Sequence, residues 1–222
     1  MPARTSAERG REVRQRLLDT AATLIPELGW SAVSTRALAE RADVTPGLIH
    51  YHFPSVQALL REAALRVMGE VVSATSLAFT SADDLDAGLD LMLGALDSYP
   101  GEDATSLLFT ETCLAATRDP ELRAELSTLV AGFREDLTTW LASHGQDHPG
   151  DTAAVLAATI DGLMLHRVLG VELTSAAAAT VLRGLVAPTP LSTRTASRRD
   201  PSKRGAPRKS TTKKGVAKGR TS

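Results

Sequence analysis

Val44-Thr45-Pro46-Gly47-Leu48-Ile49-His50-Tyr51-His52-Phe53-Pro54-Ser55 reads as a two-turn helix held between two helix-start signals. Thr45 is placed to cap it, and Pro46 falls at the first helical position, where its missing N–H costs nothing and its fixed φ suits the helix. Pro54 stops it, and Ser55 caps a following helix whose Leu59, Ala63, Val67 and Val71 recur at intervals of four. Upstream, Ser34 or Thr35 opens a helix carrying Leu38, Ala39 and Ala42, and only Asp43 to Thr45 separate it from Pro46. Two short helices so closely joined form a helix-turn-helix.

A helix of two turns is marginal alone in water, because nucleation is costly and propagation brief. Ile49 and Phe53, four apart, share a face that packs on Leu38 and the helix before it. Gly47, Leu48, His50, Tyr51 and His52 are left to solvent, a face whose His and Tyr content suits contact better than solubility.

At these residues the chain resembles the TetR family of bacterial one-component regulators. The likeness covers roughly residues 10–70: a long first helix ending at Leu28-Gly29-Trp30, then Ser34 to Ala42, then the segment ending His52-Phe53-Pro54-Ser55. It implies a homodimer of all-α subunits of about nine helices, the first three forming a DNA-binding head and the rest a ligand-sensing and dimerising body. Carried over position by position, it places contacts to bases or sugar-phosphate at Thr45, Pro46, Gly47, Leu48, His50, Tyr51 and His52, with Arg36 near a phosphate. Gly47 would admit the DNA backbone, and Leu48 and Pro46 could touch thymine methyls. His50 suits a base edge, and Tyr51 and His52 suit phosphates. The chain departs from the family pattern at Asp43, where Gly is usual, in the order His50-Tyr51, and at Val56, where a phosphate-binding Lys is frequent; Gln57 or a basic tail could compensate for the last.

Charge divides the chain. Residues 1–188 hold 14 Arg against 25 acids, whereas 189–222 hold 11 basic residues against Asp200 alone. That tail has almost no large apolar side chain and is expected to be disordered. It is either a solubilising appendage or an arm that binds any duplex by counterion release. Residues 1–70 are near neutral, with nine Arg and eight acids, while 71–188 carry five Arg and 17 acids. An acidic body is repelled by DNA and orients the molecule head-first. Arg4, Arg9, Arg11, Arg14 and Arg16 crowd the start of the first helix, where they suit backbone contact. The single Cys113 cannot form an intrachain disulfide, no charged-then-apolar leader is read, and no apolar run approaches a membrane span. A cytoplasmic protein without membrane or cofactor is the expectation.

Periodicity places helices near 9–28, 35–42, 46–53, 55–79, 82–99, 103–117, 120–143, 151–170 and 175–187, with no repeat and no β-alternating segment. Pro26 is expected to kink the first. The chain therefore divides into a flexible N-terminal arm (1–8), a helix-turn-helix domain (9–54), a helical ligand-binding and dimerisation domain (55–188) and the basic tail (189–222). The last two helices are rich in Ala and Gly. By resemblance they form a four-helix dimer interface with their copies, drawing on Ala157, Ile160, Asp161, Leu163, Leu182 and Leu185; intrachain packing is the alternative.

Control in such a regulator runs through the fourth helix, which a molecule lodged among helices five to eight would pivot. Candidate pocket residues are Leu89, Met92, Leu93, Phe109, Cys113, Phe133, Leu137, Trp140, Met164 and His166, each of which could equally be plain core. They suit an apolar effector with few polar handles. Other sites are weak: His144 and His148 fall in a loop, and the Asp83, Asp84, Asp86, Asp90 group lacks the turn glycine and terminal Glu of a calcium loop. No phosphate-cradling loop, nucleophile elbow or metalloprotease helix is present. The sequence thus points to a dimeric regulator, most simply a repressor, binding an inverted-repeat operator in double-stranded DNA. A nucleoid-type binder using head and tail without sequence preference is the alternative, and an all-α enzyme or lipid carrier with a vestigial head is a third.

Overall fold

Helix α1, Ser6–Leu28, starts three residues earlier than its apolar stripe suggests, because Thr5 and Glu8 form a reciprocal capping box. The Thr5 hydroxyl accepts from the Glu8 N–H at 3.2 Å, and the Glu8 carboxylate accepts from the Thr5 N–H at 2.7 Å. In a computed structural model the described residues are 5–171 and 173–187, and the structured ones among them are helical throughout. The basic tail and residues 1–4 lie outside them; of the arm expected over 1–8, Thr5 is instead the cap and residues 6–8 the first turn of α1, held there by that capping box.

After a single 3-10 turn at Trp30–Ala32 come α2 (Thr35–Ala42), α3 (Pro46–His52), α4 (Val56–Thr80), α5 (Leu85–Leu96), α6 (Ala104–Ala116), α7 (Pro120–Ser143), α8 (Pro149–Val168) and α9 (Ser175–Val186). Caps account for most boundaries. Ser34, Ser55, Asp84, Asp103, Asp119 and Thr174 each accept a first-turn N–H of the helix that follows. Thr45 departs from expectation: its backbone is extended as a cap requires, yet its side chain makes no capping bond. Helix α8 begins at Pro149, which occupies the first turn of a helix rather than the loop expected over 145–150. Asp43 closes α2 in the left-handed region at φ 52°, and its N–H bonds the carbonyls of Ala39 and Glu40. It is the one described non-glycine residue with positive φ, a conformation that glycine adopts without steric cost.

Two hydrophobic cores form. The first gathers Leu17, Ala21, Leu24, Ile25, Leu38, Ile49, Phe53, Leu59, Leu60 and Ala63 of α1–α4, and also takes in Leu108 and Ala116 of α6 and Leu122 of α7. The second gathers Phe79, Leu89, Met92, Leu93, Leu137, Trp140, Leu156, Leu163 and Leu182 of α4, α5, α7, α8 and α9. Arg167 fastens one end of this body: it donates to the Leu96 carbonyl, to the Tyr99 carbonyl at 3.2 Å, to Asp97 at 2.9 Å and to Ser175 at 2.9 Å. That ties the ends of α5 and α8 to the start of α9.

Trp140 packs directly over Gly88, and a Cβ there would stand 2.1 Å from its ring. Gly94, on the same helix, has nothing within 4 Å of its Cβ position and is exposed. Gly88→Ala is therefore expected to destabilise the protein by about 1–3 kcal/mol through overpacking, and Gly94→Ala to stabilise it by about 0.5–1 kcal/mol through helix propensity. Denaturant melts of the two variants check the pair.

Candidate nucleic-acid interface and the cavity behind it

Helix α3 is anchored by Ile49 and Phe53, at 0% and 3% exposure. That orientation turns Thr45, Pro46, Gly47, His50 and Tyr51 outward, with Tyr51 81% exposed, and leaves Leu48 half-buried. No heavy atom lies within 4 Å of the position a Gly47 Cβ would take, so a partner's backbone can approach there. His52 is drawn back: it is half-buried, meets the ring edge of Tyr51 at a centroid distance of 5.1 Å, and faces Gly10 of α1. Arg36 projects exposed from the first turn of α2.

The arginines sort into two groups. Among the described residues Arg9, Arg11, Arg16 and Arg36 make no ion pair, and all four are exposed. Arg14, grouped with them from sequence, is instead structural: its guanidinium sits 4.7 Å from the Phe53 ring centroid and pairs with Glu62 of α4 at 2.5 Å. It joins α1, the end of α3 and α4. Arg66 pairs with Asp19 at 2.6 Å, and Arg41 with Glu27, whose carboxylate the Arg41 hydrogen bond holds below its ordinary range.

Head and body share further ties that sequence reasoning missed. The Glu111 carboxylate on α6 accepts the Trp30 backbone N–H at 2.7 Å, just after Gly29 turns the chain at φ 83°. The Trp30 indole donates to the Gln57 carbonyl at 2.9 Å, which orients that amide and leaves its NH2 as the end that could meet a phosphate. Arg61 of α4 reaches Asp119 at 3.5 Å and also pairs with Glu121, both at the start of α7. A carboxylate within the otherwise apolar run of α6 was the available signal for Glu111.

Behind this interface lies a cavity of about 110 Å³. Helix α4 lines it with Met68, Val71, Val72 and Thr75, α5 with Leu96, α6 with Thr105, Phe109 and Cys113, α7 with Leu126, Leu129, Val130 and Phe133, and α8 with Ala157, Ile160, Asp161 and Met164. Of the expected pocket residues, Phe109, Cys113, Phe133 and Met164 are there. Leu89, Met92, Leu93, Leu137 and Trp140 pack instead in the core, and His166 is exposed on the far side of α8. The α4 residues were missed because their i, i+4 spacing is the same as that of core.

The residues expected at a dimer interface are also redistributed. Ala157 and Ile160 line the cavity, Leu163 and Leu182 are buried within their own subunit, and Asp161 and Leu185 stay exposed, Asp161 at the rim of the cavity. Exposed apolar residues run down the other face of α8 at Val155, Ala158, Leu165 and Leu169, and of α9 at Val181 and Leu185. Asp84 caps α5, and Asp86 and Asp90 pair with Arg183 at 3.9 and 2.5 Å, so the acidic group is spent within the fold. Among the described residues no cluster suits a metal ion, and no helix is long and apolar enough to cross a membrane.

Burial pushes the Cys113 thiol up to about 11, with the negative charge of Asp161 adding to the effect. The reactive thiolate is scarce at neutral pH. Native protein at pH 8 is expected to leave Cys113 unmodified by a thiolate-selective disulfide reagent, with reaction appearing as the pH approaches that value or on denaturation; prompt stoichiometric labelling at pH 8 contradicts the assignment.

Residues 17–63 match the family described as bacterial regulatory proteins, tetR family, and residues 82–188 match the tetracyclin repressor-like C-terminal domain. The HTH-type transcriptional repressor KstR of Mycolicibacterium smegmatis is 35% identical over 91 residues, 41% of this chain and 45% of that protein; its counterpart in Rhodococcus jostii is 43% identical over 61 residues, 28% of this chain and 29% of that protein. The matches thus span less than half the length of these curated relatives. Among solved structures, a transcriptional regulator of Streptomyces coelicolor A3(2) superposes with a TM-score of 0.66 at 29% identity, covering 79% of this chain and 98% of that one. The multidrug binding protein EbrR, solved with imidazole, gives a TM-score of 0.66 at 29% identity over 86% of this chain and 99% of that one.

Proposed function

Because the chain belongs to the TetR family of bacterial regulatory proteins, we propose that it is a homodimeric, sequence-specific DNA-binding transcriptional regulator, a repressor released from its operator by a small, largely apolar effector. One observation carries the reading: α4 starts immediately after the outward-facing α3 and, about 18 Å further along its axis, presents Met68, Val71, Val72 and Thr75 to the cavity. A molecule that alters the seat of α4 in the cavity alters the position of α3 at the other end. Release requires the effector to bind the DNA-free arrangement more tightly than the bound one.

Dimerisation is supported by the exposed apolar faces of α8 and α9. Val155, Leu165, Leu169 and Val181 lie 51%, 44%, 66% and 75% exposed, and small residues Ala158, Gly162 and Gly184 between them allow close approach. A two-fold partner covering these faces would place two copies of α3 in successive major grooves about 34–36 Å apart, and the operator is then an inverted repeat. In that complex His50 reads a base edge, Tyr51 and Arg36 hold phosphates, and Arg9, Arg11 and Arg16 attract the duplex to the head.

Selection of genomic fragments by the purified protein at near-physiological salt tests this. The expected result is a shared inverted repeat recovered both by the full chain and by a version ending at Pro188. Enrichment without a shared motif, lost on truncation, would favour instead the non-specific binding that the 11 basic residues of 189–222 could support. On the recovered operator, His50→Ala is expected to cost about 1–3 kcal/mol and to relax preference at one position of each half-site. Val56→Lys is expected to tighten operator and unrelated DNA by the same factor and to steepen the log–log salt slope by about one per subunit. Competition titrations at several salt concentrations read both.

A further inference from the structure

Among the residues that line the cavity, Asp161 alone carries a charge, and no Lys, Arg or His joins it. The rest of the wall is aliphatic, aromatic or thioether apart from the Cys113 thiol and the hydroxyls of Thr75 and Thr105, and Thr75 spends its hydroxyl on the Val71 carbonyl at 2.8 Å. Asp161 makes no ion pair or hydrogen bond with any described residue. It also borders a shallow outer pocket with Phe109, Cys113 and Gly162, so its carboxylate stands at the rim, between the apolar interior and the outside.

Resting on the reading of this cavity as the effector site, we infer that the effector is a small monocationic amphiphile, its apolar part filling the void and its ammonium-like head pairing with Asp161. The chemistry follows from what each alternative leaves unpaired. An anionic ligand would meet a carboxylate and find no cation in the wall. A neutral ligand would gain nothing from the carboxylate, which belongs to an exposed residue and keeps its water. A cation alone gains an attraction there. Desolvation by the surrounding wall already raises the Asp161 pKa, consistent with a carboxylate that lacks a counter-charge. The wider field agrees, since residues 71–188 hold 17 acids and five Arg, which draws cations to the body and repels anions. The void is somewhat smaller than the roughly 150 Å³ that houses benzene in an engineered core, and it suits an alkyl chain of about six carbons.

The test is a matched series, hexylamine, 1-hexanol and hexanoate, titrated at pH 7.5 into the full-length protein carrying 13C-methyl methionine. Of the four methionines, Met68 and Met164 line the cavity and Met92 sits in the adjoining core as an internal reference. All bound probes are expected to shift the Met68 and Met164 methyls, with hexylamine binding about tenfold more tightly than hexanol and hexanoate weakest. Asp161→Asn is expected to erase the advantage of the amine over the alcohol, and Asp161→Glu to keep it. If hexanol or hexanoate binds as tightly as hexylamine, or if the amine advantage survives in Asp161→Asn, the inference is overturned while the cavity remains an effector site. If no probe moves the Met68 and Met164 methyls, both fall together. An Asp161→Asn protein that changes its dimer mass but not its probe preference assigns the carboxylate to the subunit interface and likewise overturns the inference. The wild-type series decides the matter even if a variant fails to fold.

Discussion

Helix α4 buries one end in each of two hydrophobic cores, and the rest of the molecule is arranged around that fact. Leu59, Leu60, Ala63 and Ala64 are fully buried among the head helices, and Phe79, 15 to 20 residues further along the same helix, is fully buried in the body. Each fully buried Leu or Phe is worth roughly 1.5–3 kcal/mol relative to exposure, so neither end can be displaced without loss that exceeds the usual surface interaction. A rigid element anchored twice transmits displacement from one anchor to the other. Between the anchors α4 contributes Met68, Val71, Val72 and Thr75 to the wall of the cavity, where its packing is incomplete.

Ion pairs and hydrogen bonds define which parts of the head are free to meet DNA. Arg14, Arg41, Arg61 and Arg66 are held by Glu62, Glu27, Asp119 and Asp19. At such exposed or half-exposed sites each pair contributes little to stability; its effect is to orient a helix. The Arg14 stack on Phe53 sets the end of α3 against α1, and the Glu111 bond to Trp30 sets the head against α6. The arginines without such partners are the ones left exposed for phosphates. The head is therefore a braced frame with a separate set of exposed, unpaired cations among the described residues, and the two groups are indistinguishable by residue type.

The elements most legible in the sequence were those bounded by backbone chemistry. Helices α2 and α3 begin and end where Ser34, Pro46 and Pro54 imply, because a cap or a proline acts on groups within one turn of itself. The start of α1 was legible too, in Thr5 followed three residues later by Glu8, but the apolar stripe begins further on and drew the boundary with it. Pro149 was ambiguous, since a proline ends one helix and begins another equally well. Alternation of buried and exposed faces on α8 was harder: Ala157, Ile160 and Leu163 satisfy the spacing of an interface, yet the helix is rotated so that Val155, Ala158 and Leu165 face outward. With Ala on several faces and Thr159, Asp161, His166 and Arg167 scattered among them, α8 has no continuous polar stripe to fix that rotation.

What the sequence by itself determined is the all-α head, its two short helices, the tight turn at Asp43 and the outward residues of α3. All of these rest on interactions spanning four residues or fewer. The family, and DNA as the class of partner it implies, followed from the same segment by resemblance. Tertiary structure alone decided that Arg14 is a brace, that Gln57 is engaged by Trp30, and that Met68, Val72 and Asp161 meet Phe109 and Cys113 around one void. A cavity is a shortfall in packing among four or five helices at once. Apart from Asp161 and a few small polar side chains, no residue in its wall differs in kind from its neighbours in the core, and only their arrangement in space separates a wall from a filling.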